Sequence, residues 1–346
     1  MSPNRHQDLS IYILPGRVTD ASVGLQEAKT AEQLGFGAVY LSERLDMKEA
    51  GVVCGAVSAV TDRIHIGTGL IHPITRHPVT IAAMAATLQQ MSGGRFVLGI
   101  GRGIGPLAPS LGMAPPTLKS LEHLVGVLRR LWAGERISED GPLGKFSGLR
   151  FVDQLSVPPP PVIFGTMGPL GLDLVGRCFD GVLLHPFLTV DAVESAVKRV
   201  RAAAEAAGRD PQSVRVISTL IVAPDLDETR IDIAVRARAI SYFQLKGLGE
   251  QLVELNGWDK DILEKIRSHS TLAGKGMADT AMSRDKLVDA SRVIPDEWYA
   301  AGAAIGSRDF CVERARAYRN VGVDEILLHG ASPAEAAGMA EIWGAS

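Results

Sequence analysis

Short apolar runs and longer stretches of helical period alternate along this chain from one end to the other. The apolar runs fall at residues 9–14, 38–41, 64–71, 96–100, 162–164, 180–184, 214–222 and 324–328, all of strand length. The first stops at Pro15-Gly16 and the third at His72-Pro73. Between them the pattern predicts helices. Asp20 or Ser22 caps one that ends at Gly35, and others cover 48–60, 78–91, 118–132, 190–207, 227–243 and 333–343. His77 stands at an N-cap with Pro78 in the first helical position, and Gly93-Gly94 ends that helix. Gly168-Pro169 opens another helix. Residues 134–156 read as a polar, Gly-rich excursion.

Eight strands separated by helices predict an α/β fold, a (β/α)8 TIM barrel, formed as a single domain over residues 1–346. A doubly wound open sheet is the competing arrangement. The barrel is preferred because the alternation does not pause for a second domain. Residues 245–304 break the rhythm, and we read them as an inserted helical cap between strands seven and eight, since loops of that length are usually functional.

Composition narrows the class. The chain has 346 residues, 46% hydrophobic but only 5% aromatic, so the core is aliphatic. A net charge of −3 and the lack of a basic run argue against nucleic acid. Cys54, Cys178 and Cys311 are odd in number, widely spaced and fit no metal pattern, so they read as buried free thiols in a reducing compartment. Neither a signal-peptide core nor an apolar run of membrane-spanning length is visible, and the expectation is a soluble cytoplasmic protein.

In such a barrel the reacting groups lie beyond the C-terminal ends of the strands. That rule selects Pro15-Gly16-Arg17, Ser42-Glu43-Arg44, Thr68-Gly69-Leu70 with His72, Gly101-Arg102-Gly103, Gly165-Thr166-Met167-Gly168, His185 and His329-Gly330. The glycines beside Pro169 stand at a helix N-terminus, where free N–H groups and the dipole favour a phosphate. Gly101-Arg102-Gly103 offers close backbone approach and a guanidinium. Both sites equally suit tight turns, but two glycine sites after adjacent strands favour an anion. His72, His185 and His329 each suit a general acid or an ordinary rim hydrogen bond, whereas His65 and His123 read as structural. Glu43 and Arg44 suit the site or a surface ion pair. The Gly-x-Gly text is no dinucleotide fingerprint, because Pro106 and Pro109 follow it and no helix is expected there.

Several of these segments together resemble one superfamily. Ile66-Gly67-Thr68-Gly69, Arg76-His77-Pro78, Ala85-Ala86-Thr87-Leu88, the run from Ser92 to Gly101, Gly168-Pro169 and Asp180-Gly181 are similar to the bacterial luciferase-like monooxygenases. Within them the chain resembles the deazaflavin (coenzyme F420)-dependent oxidoreductases. The resemblance implies a cofactor in the barrel mouth, an inserted cap, a homodimer, and hydride transfer between coenzyme F420 and a small organic substrate. It implies cofactor contacts at Glu43, Gly69, Leu70, Gly101, Arg102, Gly103, Gly165, Thr166, Met167, Gly168, Pro169 and Leu170, the phosphate meeting Arg102-Gly103 and the segment from Thr166. Glu43, Arg44 and His72 are the catalytic candidates. It also implies a bulge in the third strand with a non-prolyl cis peptide, matched here by Gly69–Leu70. The chain departs from the family where an Asp-His pair is replaced by Glu43-Arg44 and a Glu by Ile104. An FMN-dependent monooxygenase using oxygen and a non-catalytic flavin-binding protein are the alternatives.

Overall fold

A computed structural model describes residues 6–345 except Arg17, Asp46, 104–106 and Gln154. Arg17, Ile104 and Pro106, named above, lie outside the described residues. Eight parallel strands form the framework: β1 His6–Tyr12, β2 Phe36–Ser42, β3 His65–Leu70, β4 Phe96–Gly101, β5 Val162–Gly165, β6 Gly181–Leu184, β7 Arg215–Pro224 and β8 Glu325–His329. Each pairs with its neighbours in sequence, and β8 pairs back with β1, so the sheet closes into the TIM barrel that the alternation predicts.

The strand interior is filled from all eight strands. Tyr12, Ala38, Tyr40, Ile163, Leu183, Ile217 and Leu327 pack there with Leu70 and Val97. A larger aliphatic shell lies between strands and helices. Near the strand starts, buried Glu325 pairs with Arg215 at 2.9 Å and faces the Tyr40 hydroxyl at 3.4 Å. A buried ion pair at that end serves the fold rather than the chemistry, because the reacting end of a barrel is the other one.

Two local features shape the working end. The β2–β3 register steps from Leu41 opposite Thr68 to Ser42 opposite Leu70, so Gly69 is the extra residue of a β-bulge. No cis peptide occurs among the described residues, so Gly69–Leu70 is trans, contrary to the expectation. The extra residue itself supplies the bend in the strand. Helix Pro78–Met91 starts as predicted, with the His77 ring accepting the Val79 N–H, and ends at Gly93 and Gly94, at φ +64° and +88°.

Other differences have physical reasons. The polar excursion contains a hairpin, Ile137–Gly141 with Gly144–Leu149. Its Ser, Glu, Asp and Lys hide the alternation, and it is held by Phe146 and by Glu139 on His123 at 2.9 Å. Helix Arg308–Asn320 was not anticipated, because charges surround its buried stripe of Cys311, Val312, Ala315 and Tyr318. A short strand, Ala303–Gly306, pairs in parallel with the last residues of β7, Ile221–Pro224. One turn of helix does follow the fourth-strand glycines, Leu107–Ser110, but it is too short to serve as a dinucleotide helix. The last helix begins at Ala337 rather than at 333.

Between β7 and β8 lie the helical stretch 228–243, interrupted by a π turn at Asp232–Arg236, and then helices Leu248–Asn256, Asp261–Ser268 and Asp296–Gly302 with shorter turns. Trp258 and Trp298 stack at 4.6 Å, and both pack on Phe243. No described helix is long and apolar enough to cross a membrane. The three cysteines are free, with Cys178 only half-buried.

Candidate active site

The ends of β3, β4 and β5 form one wall that is poor in side chains. Gly101 lies opposite Gly165 in the ladder. The Leu70 side chain covers both: a Cβ at Gly165 would lie 2.4 Å from its methyl carbons, and one at Gly101 would lie 3.2 Å from its Cβ. A Cβ at Gly69 would meet the Tyr12 ring and the Ser42 hydroxyl at 2.8–2.9 Å. Gly103, at φ +75°, lies against the His72 ring, whose Nδ1 would be 2.9 Å from a Cβ there. A side chain at Gly69, Gly103 or Gly165 would force its neighbours to shift and one at Gly101 would be tight, so glycine keeps this wall low.

Beyond the wall begins helix Pro169–Cys178. Gly168 is its N-cap residue and has no capping side chain, so it leaves first-turn N–H groups to a ligand or water. The Thr166 hydroxyl is seated against Gly171, while Gln251, from the insertion, covers Gly168. Met167 is buried; Pro169 and Leu170 are exposed. Arg102 is exposed and leans on the Pro116 carbonyl at 3.4 Å, which places its guanidinium at the rim.

Glu43 is buried, and its oxygens are occupied. Arg76 pairs with both of them, at 2.9 Å to Oε2 and closer to Oε1, and the His72 backbone N–H donates to Oε2 at 3.0 Å. Arg76 also pairs with Glu49. Burial pushes the Glu43 carboxyl up, but Arg76 and the His72 amide outweigh it and hold it below its ordinary value. Arg76 rather than Arg44 neutralises Glu43. Arg44 heads a tight turn closed by a backbone bridge to Lys48, whose ammonium reaches the Leu14 carbonyl. Burial, with help from Arg76, lowers the His72 pKa below 6.5, so its ring is neutral at pH 7.

Across the mouth from the wall lies an aromatic and basic cluster. Tyr12 and His329 have ring centroids 4.4 Å apart, and Tyr242 meets His185 edge-on at 4.7 Å. Burial pushes the Tyr12 phenol up and His185 down to about 4, and drives His329 well below 6.5 with help from Arg238 and Arg284. A cavity of about 460 Å³ opens beside them, lined by Pro15, Met47, Arg230, Arg238, Arg284 and Gly330 among others. Another, of about 570 Å³, lies on the flank between Thr189, Asn256 and Arg314, away from the strand ends.

The structure thus brings together Glu43, Gly69, Leu70, His72, Gly101, Gly103, Gly165, Thr166 and Gly168, and leaves Arg44, Arg102, Pro169 and Leu170 at the margin. Sequence reasoning missed Tyr12, Arg238 and Gln251 as mouth residues. Arg76 carried a signal in Arg76-His77-Pro78, whereas Arg238 carried none because it follows a π turn that shifts the helical phase.

Residues 13–325 match the luciferase-like monooxygenase family. The chain belongs to this family. It is 28% identical over 301 residues, 87% of each chain, to a 5,10-methylenetetrahydromethanopterin reductase of Methanolobus tindarius. It is 32% identical over 220 residues to an F420-dependent glucose-6-phosphate dehydrogenase of Nakamurella multipartita, covering 59% of this chain and 64% of that protein. Its fold matches the coenzyme F420-dependent tetrahydromethanopterin reductase of Methanopyrus kandleri with a TM-score of 0.80, at 21% identity and 96% coverage of both chains. The glycine wall and the Arg76 clamp of this chain thus lie within the region that matches the family.

Proposed function

We propose that this enzyme is a coenzyme F420-dependent oxidoreductase that transfers hydride to or from a small organic substrate. The observation that carries the reading is the glycine wall across β3, β4 and β5, which ends at an uncapped helix N-terminus. The residues fit such a cofactor. A flat ring needs a surface poor in side chains, and glycine stands at positions 69, 101, 103 and 165, where an added Cβ would crowd its neighbours. A phosphate needs donors, which the Thr166 hydroxyl and the amides of Leu170 and Gly171 provide. When bound, a deazaflavin supplies hydride chemistry at its ring carbon C5.

The chain's own residues hold and shield. Leu70 backs the ring position. Glu43 acts as a positioning residue: it fixes the loop through Arg76 and the His72 amide, and its carboxylate is not left over for proton transfer. His72, neutral and set against Gly103, is the group that can donate or accept a proton beside the wall. The inserted segment 245–304 caps the mouth, because Gln251 reaches the wall side and Arg284 the opposite side, against Gly16. We further propose that the enzyme is a homodimer, as the resemblance noted in its sequence implies, and sedimentation velocity tests this.

The reading is tested by supplying reduced F420 and candidate acceptors under argon and under air. Substrate-dependent oxidation of the cofactor at equal rates in both, without oxygen uptake, is expected. Turnover that requires reduced FMN and consumes oxygen would replace this reading with the monooxygenase one.

A further inference from the structure

Arg238 is the anomaly of this mouth. It is 2% exposed, yet no ion pair joins it to any described residue. Its Nε donates to the Ala234 carbonyl at 2.9 Å and its Nη1 to His329 Nε2 at 2.8 Å. A guanidinium cannot accept, so His329 Nε2 is the acceptor and its proton sits on Nδ1. That Nδ1 is itself buried and has no hydrogen-bond partner. The neighbouring cations differ: Arg230 is paired with Glu335 at 2.8 Å, and Lys48 has the Leu14 carbonyl and nearby Glu27. Arg238 lines the cavity of about 460 Å³. The π turn at Asp232–Arg236 lies just before it, a feature frequent at functional sites.

Burying an unmatched charge is costly, and a fold tolerates it where a ligand supplies the missing partner. We propose that Arg238 is the anion-binding residue of the substrate site, and that the substrate carries a carboxylate or a phosphate ester. His329 is a positioning residue. Through its Nε2 it holds the guanidinium that lines the cavity. The anion lies on the β7–β8–β1 side of the mouth, opposite the glycine wall. One end of the substrate is thus anchored while the other faces the ring position. As a substrate site this rests on the oxidoreductase reading; as an anion site it does not.

The test is calorimetric titration of the protein with inorganic phosphate and, separately, with acetate, with and without saturating F420. The cofactor arm blocks the helix at Pro169 and leaves only the proposed site. Wild type is expected to bind at least one of the two anions in both arms. Arg238→Met is expected to lose that affinity roughly tenfold or more, to keep its affinity for F420, and to melt no lower than wild type, because it removes an unmatched buried charge. Arg238→Lys, which keeps charge but loses the fork, is expected to bind more weakly than wild type. Absence of anion binding to wild type would overturn the proposal, as would unchanged affinity in either variant. If F420 fails to bind, the titration without it still decides the anion site, so the two failures are distinguishable.

Discussion

Glu43 shows how a carboxylate at a barrel mouth can serve geometry. Its two oxygens carry three hydrogen bonds, two from Arg76 and one from the His72 amide, so its negative charge orders the loop that presents the His72 ring. Glu43→Gln should cost about 1–3 kcal/mol, because it leaves half-buried Arg76 with Glu49 alone. Urea unfolding at pH 7 measures it. The folded carboxyl lies below its ordinary value of 4.5, so its contribution is complete above that pH and is lost as pH falls through the folded value. The gap between wild type and variant should therefore close in acid. Gly165→Ala tests the wall, since its methyl would lie 2.4 Å from the Leu70 methyl carbons. A stability loss of about 1–3 kcal/mol is expected with a fall in F420 affinity of roughly tenfold, read by fluorescence.

At the scale of elements, glycine has opposite consequences in two places. Gly126, exposed within helix Leu118–Trp132, has nothing within 4 Å of a Cβ, so Gly126→Ala should stabilise by about 0.5–1 kcal/mol in the same urea assay. The glycines of the wall admit no such change. Helices and strands with clean periods were legible in the sequence: helix Leu118–Trp132 forms over the predicted residues, and the eight strands close as their alternation implied. The hairpin at Ile137–Gly141 and helix Arg308–Asn320 were not legible, because polar side chains mask a narrow buried stripe. The insertion was visible as a broken rhythm, yet the destination of its aromatics was not. Phe243, Trp258 and Trp298 pack on one another, while Tyr242 alone of the four meets His185 at the mouth. Periodicity cannot separate adjacent residues such as Tyr242 and Phe243 when a π turn has rotated the helix just before them.

For the whole molecule, the working end divides into a side-chain-poor wall over β3–β5 and a basic, aromatic side over β7, β8 and β1. That division was partly legible, because strand ends and glycines mark the wall, whereas Arg238 enters from a helix. Three histidines, His72, His185 and His329, are held neutral, chiefly by burial. The unfolded chain protonates them near 6.5 while the folded chain resists, His185 down to about 4. Unfolding therefore takes up protons over that range, and stability should fall as pH drops from 7 to 5 and recover on return. The urea midpoint at the two pH values checks this, in a window above the one set by Glu43.

The most direct test of the cofactor assignment is a paired fluorescence titration of the protein into coenzyme F420 and into FMN. Micromolar or tighter binding of F420, with FMN roughly tenfold weaker or worse, is the expected result. Preference for FMN, or binding of neither, would contradict it.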